Sequence, residues 1–134
     1  MAVATERLSG GALLRMRWLP VAAWVALIFV LSAQPGLSVP GTFEYRDKVA
    51  HTLEYGGLGW LVYRAARDSW PATPALQRVL LTALALSALG ALDEKFQSFI
   101  PGRDSTAYDW MADTFGGALA QIAGVVFDKR RRGA

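Results

Sequence analysis

One histidine and a set of carboxylates carry whatever chemistry this sequence can do. Asp47, His51 and Tyr55 fall at i, i+4 and i+8, with Glu54 three residues after His51. A helix through them presents a carboxylate, an imidazole, a second carboxylate and a phenol on one face. Asp93 and Gln97 stand one turn apart with Glu94 adjacent, and Asp109 and Asp113 repeat that spacing. The single histidine has an ordinary pKa near neutrality and two acids within a turn. That combination points to general acid or base work, metal ligation or proton transfer. The plainer role of such acids is to complement a helix dipole and pair with Lys or Arg, so the case for function rests on the group as a whole.

The alternatives narrow on residue type. No cysteine is present, which excludes disulfides, a thiolate nucleophile and cysteine zinc sites. His51, Glu54, Asp93 and Asp109 would make an oxygen-rich set suited to magnesium, manganese or, less often, zinc. No pair among them has diagnostic spacing, so metal use stays open and no cofactor is assigned. The stretch 51–55 reads H-x-x-E-Y, with Tyr55 where an inverted zinc-protease motif has its second histidine, which argues against a protease. Ser98, Ser105 and Thr106 become nucleophiles only if His51 reaches them; otherwise they cap helices and form turns.

Four apolar runs must position these residues. Of 134 residues 53% are hydrophobic and 19% charged, and the mean hydropathy is +0.25, as expected of one membrane-embedded domain over 1–134. Helices are expected at about 18–33, 48–66, 76–98 and 106–127, an all-α four-helix bundle. The first run resembles a secretory signal, but Leu31 is a poor residue three positions before a cleavage point after Ala33, so a spanning helix is expected. The second is diluted by His51, Glu54 and three glycines. The third is uncharged from Val79 to Leu92, and Pro101-Gly102 marks the turn beyond it. Ser105 or Thr106 caps the fourth, with Asp109 close behind, and Lys129 to Arg132 stop it. Gly116, Ala120 and Gly124 follow small-xxx-small spacing, and with Gly56, Gly57 and Gly59 they would bring two helices together and His51 near Asp109 and Asp113. Trp18, Trp60, Trp70 and Trp110 read as interfacial anchors.

Charge then orients the bundle. Ten of the fourteen Lys and Arg precede the first run, flank the 64–78 connection or follow the last run. Only Arg46, Lys48, Lys95 and Arg103 belong to the other end. The positive-inside rule makes both termini cytoplasmic. Glu6, Asp68 and Asp128 fall inside, while the outer end carries eight acids against four cations. The formal charge of +3 does not indicate nucleic acid, because the basic residues lie between apolar runs rather than along a stripe.

LIFVLSAQPG closing the first helix, DKVAHTLEYGGLGWL opening the second and DEKFQSFIPGRDSTAYDWMADTFGGALAQ across the third and fourth resemble the VanZ-like family of small membrane proteins. The resemblance spans about 24–124, with D-K-x-x-H, D-E-x-x-Q-x-x-x-P-G-R and D-x-x-x-D in order. It carries the family's polar signature onto Asp47, Lys48, His51, Tyr55, Asp93, Glu94, Gln97, Pro101, Gly102, Arg103, Asp109 and Asp113. It implies a multi-pass protein of the bacterial cytoplasmic membrane, linked through the family's name to teicoplanin resistance, a process rather than a reaction. Three functions follow as expectations. The first is an envelope factor that binds a lipid or cell-wall-precursor head group, with Lys48 and Arg103 on the anion and Asp47, Tyr55, Gln97 and Asp109 lining the site. The second is an enzyme using His51 as acid or base, with Asp93, Glu94 and Asp113 around it. The third, proton-coupled transport, has little room in four short helices. The bilayer, a lipid-linked substrate and a second copy of the chain are the partners these readings admit.

Overall fold

The structure, a computed structural model, describes residues 10–133. Among them are four α-helices and no strand: α1 Gly10–Ser32, α2 Arg46–Ser69, α3 Ala75–Gln97 and α4 Ala107–Gly133. Glu6 and Arg7, counted in the charge argument, lie outside the described residues. α1 begins at Gly10 rather than near Trp18, because Ala12, Leu14, Arg15 and Met16 are good helix formers although Arg15 and Arg17 interrupt the apolar run. α4 likewise runs through Lys129 to Arg132, where cations in the last turn complement the negative end of the helix dipole. Charge ends the hydropathic window in both cases without ending the helix.

α1, α3 and α4 are each long and apolar enough to cross a membrane. α2 has comparable length but carries too many polar residues to qualify on composition, and it is the helix the others surround. Its most extensive contact is with α4, and it also packs on α1 and α3. Tyr55, Leu58, Val62, Ala65 and Ala66 on α2 are buried with Val21 and Ile28 of α1 and Leu86 of α3. The polarity of the molecule is inverted relative to a water-soluble bundle. Leu19, Leu84 and Phe115 are 60–70% exposed, whereas Asp93, Asp109, Asp113, Gln97 and Gln121 are buried. Such a surface suits lipid, and such an interior needs its polar groups to satisfy one another.

Glycine sets the α2–α4 distance. A Cβ on Gly116 would collide with the Thr52 carbonyl, and one on Gly59 with the backbone of Gly117. Gly57 instead faces α1, where Trp24 occupies the space a side chain would need and donates its indole N–H to the Glu54 carbonyl at 2.9 Å.

The helices alternate in direction. At one end Arg17 pairs with Asp68 at 2.8 Å, Trp18 donates to Ser69 at 2.8 Å, and Asp128 accepts from Tyr63 at 2.6 Å and Arg67 at 3.0 Å. At the other end the α1–α2 and α3–α4 connections open with the same device. Gln34-Pro35-Gly36-Leu37 and Ile100-Pro101-Gly102-Arg103 are tight turns with proline second and a glycine at φ +62° or +73° third, as a type II turn requires. The Gly36 N–H donates to the Pro101 carbonyl at 3.1 Å, tying the turns together. The second turn delivers Arg103.

Candidate functional site

α2, α3 and α4 each contribute acids to the end of the bundle closed by these two turns. The start of α4 is fixed by a reciprocal cap. The Asp109 N–H donates to Thr106 Oγ1 at 3.3 Å, while Asp109 Oδ2 accepts from the Thr106 N–H at 3.1 Å and its hydroxyl at 2.7 Å. Thr106 is therefore the cap and Ser105 is free for another role. The Ser105 hydroxyl lies 2.7 Å from both Glu94 Oε2 and the Glu94 carbonyl, joining α3 to the approach of α4.

His51 is central. Its Nδ1 lies 2.8 Å from Asp113 Oδ1, and since a carboxylate can only accept, the imidazole N–H donates. Glu94 Oε1 is 3.8 Å from Nδ1, and Asp109 Oδ1 is 4.0 Å from Nε2. The histidine side chain is 12% exposed, and those of Asp113, Asp109 and Glu94 are 0%, 3% and 9% exposed. The expected meeting of His51 with Asp109 and Asp113 of α4 is thus present in the geometry, and Glu94 of α3 joins them. Asp109 uses its second oxygen, Oδ1, to accept from Lys48, which also donates to the half-exposed Asp47 at 2.6 Å.

Gln97 links the remaining groups. Its amide donates to Asp93 Oδ2 at 3.2 Å and to Ser32 Oγ at 3.1 Å, and its Oε1 accepts from Arg103 at 2.8 Å. Arg103 also donates to the Leu37 carbonyl at 3.0 Å. Lys48 and Arg103, expected to hold an anion, thus spend two donors each inside the protein. Ser32 is a member of this network that sequence reading missed; its signal was a polar residue at the end of an apolar helix directly before Gln34-Pro35-Gly36. Tyr55 belongs with the core: it is fully buried and its hydroxyl has no partner. Ser98 donates to the Lys95 carbonyl, and none of Ser98, Ser105 and Thr106 is bonded to His51.

No protein-family model matches the chain, and neither does any curated protein or solved structure. The geometry alone therefore bears on function. His51 lines two cavities. A polar one of about 290 Å³ is bounded by Glu44, Asp47, His51, Arg103, Asp104 and Asp109 under the 36–39 segment. A largely apolar one of about 480 Å³ runs between α1 and α2 along Trp24, Leu27, Leu31 and Leu53, with Glu54 at its wall. Leu37, Ser38, Val39, His51 and Arg103 line both. His51, an imidazole able to move a proton, thus borders both a polar cavity and an apolar groove.

Proposed function

We infer that this chain is a VanZ-like membrane protein of the bacterial cytoplasmic membrane that binds the head group of an extracytoplasmic lipid or lipid-linked wall precursor. In this reading all four helices cross the bilayer, α2 shielded by the other three. Both termini are cytoplasmic, and the His51 end faces outward. The observation that carries the reading is that the polar and the apolar cavity share His51 and Arg103 in their walls. An amphiphile with its head group beside His51 and Arg103 and an acyl chain along Trp24, Leu27 and Leu53 would match both compartments. By sequestering such a precursor the protein would change teicoplanin susceptibility.

Native mass spectrometry of the protein extracted in mild detergent tests this. The wild-type chain is expected to carry a co-purifying envelope lipid, with occupancy falling at least tenfold in Arg103→Ala and in Leu53→Glu, which places a charge in the groove. Equal lipid occupancy in all three would overturn the reading. The His51–Asp113 pair supports a second reading, an enzyme in which His51 is acid or base for the bound amphiphile and Asp113 orients the ring. In that case His51→Gln would leave the lipid bound but unprocessed.

A further inference from the structure

We propose that His51, Glu94 and Asp109, one residue from each of α2, α3 and α4, bind a divalent transition-metal ion. One ligand atom from each lies within 4.8 Å of the others. Metal bonds of about 2.0–2.2 Å hold the donors of one ion roughly 3–4 Å apart, so small side-chain movements close the site. One nitrogen and two carboxylates suit manganese or zinc better than calcium.

Two observations lift this set above an acidic cluster. The first is an unsatisfied group. Glu94 is 7% exposed, and its Oε1, directed at His51, has no hydrogen-bond partner. Asp113 Oδ2 and Asp93 Oδ1 are buried and unpartnered beside it. Buried acceptors left without donors are costly, and a cation is what a carboxylate oxygen accepts in place of a donor. The second is charge. Asp93, Glu94, Asp109, Asp113 and the half-buried Glu54 face only Lys48, Arg103 and, when protonated, His51. With His51 neutral, as a metal ligand must be, these five acidic groups face two cations, one of which, Lys48, is also paired with Asp47, so a divalent ion would offset part of the imbalance. Asp113 already holds the Nδ1–H, which leaves Nε2, the nitrogen facing Asp109, with its lone pair free for an ion. Lys48 occupies the Oδ1 of Asp109 and would be the ion's competitor.

The test is Mn²⁺ binding to chelator-treated full-length protein in detergent, read from loss of the free-ion EPR signal. Wild type should take up one Mn²⁺ per chain, displaced by Zn²⁺. His51→Gln and Glu94→Gln should each weaken binding at least tenfold, and the carboxylate variant Asp68→Asn, at the opposite end of the bundle, should not change it. Lys48→Gln should tighten binding severalfold, an effect that non-specific attraction to acids would not single out. Failure of the wild-type protein to bind, or wild-type affinity retained in His51→Gln and Glu94→Gln, overturns the proposal. The wild-type measurement decides even where a variant fails to fold. The site shares the outer pocket with the head-group reading but does not rest on it: no lipid is added, so metal binding and lipid occupancy can fail separately.

Discussion

Replacing Glu94 with glutamine removes one acidic group from a cluster of five carboxyl side chains, four of them buried. The amide oxygen can still accept the Ser105 hydroxyl that Glu94 Oε2 accepts. The other carboxylate oxygen, Oε1, has no donor to lose. Glu94→Gln should therefore stabilise the fold by about 0.5–2 kcal/mol in metal-free buffer, the signature of a residue retained for function at the expense of stability. Thermal unfolding in detergent measures this, and a lower melting temperature would mean that the charge itself holds the bundle together. Asp113 is the contrast, since Asp113→Ala leaves a mostly buried imidazole N–H unpaired and should cost about 1–3 kcal/mol. At this scale the sequence made residue types and levels legible but not pairings. Successive residues turn by about 100°, so Asp47 and Tyr55, eight apart, diverge by roughly 80° around α2. That divergence puts Asp47 toward water and Tyr55 into the core. Which of Glu94, Asp109 and Asp113 would bond His51 depended on helix rotation, which spacing does not give.

Helix rotation is decided where backbones touch. Gly116 lies against the Thr52 carbonyl, a backbone atom that cannot swing aside, so Gly116→Ala must push α4 away from α2. Overpacking of this kind costs about 1–3 kcal/mol. Because Asp113 is one turn before Gly116 and His51 adjoins Thr52, the same movement should lengthen the 2.8 Å His51–Asp113 contact. Lower thermal stability and loss of Mn²⁺ uptake should appear together, whereas Ala123→Leu, on an exposed position of the same helix, should change neither. Retained binding in a destabilised Gly116→Ala would show that the two helices do not jointly build the site. The small-residue spacing on α4 announced this contact from sequence. The role of Gly57 was not legible, because its partner Trp24 belongs to a helix whose register is set only when the bundle assembles. The ends of α1 and α4 were misjudged for a different reason: apolarity marks what lipid tolerates, while helix hydrogen bonding continues through Arg15, Arg17 and Lys129 to Arg132.

The whole molecule is electrically polar along its axis. Arg67, Arg78, Lys129 and Arg132 crowd one end around Asp128, while the other end gathers Glu44, Asp47, Glu54, Asp93, Glu94, Asp104, Asp109 and Asp113 against few cations. Four antiparallel helices place both described chain ends at the basic end, so a single orientation satisfies the charge bias of every connection at once. That orientation is testable without background, since the chain has no cysteine. Asp104 is exposed beside the polar cavity and Ala72 is exposed in the opposite connection. In intact cells a membrane-impermeant maleimide should label Asp104→Cys, and should label Ala72→Cys only after permeabilisation. The reverse pattern would turn the His51 pocket toward the cytoplasm, where wall precursors already exported and glycopeptides do not reach. The amphiphile would then have to be one of the inner leaflet. A metal site built by α2, α3 and α4 would survive that reversal, because its ligands depend on how the helices pack and not on which leaflet they face.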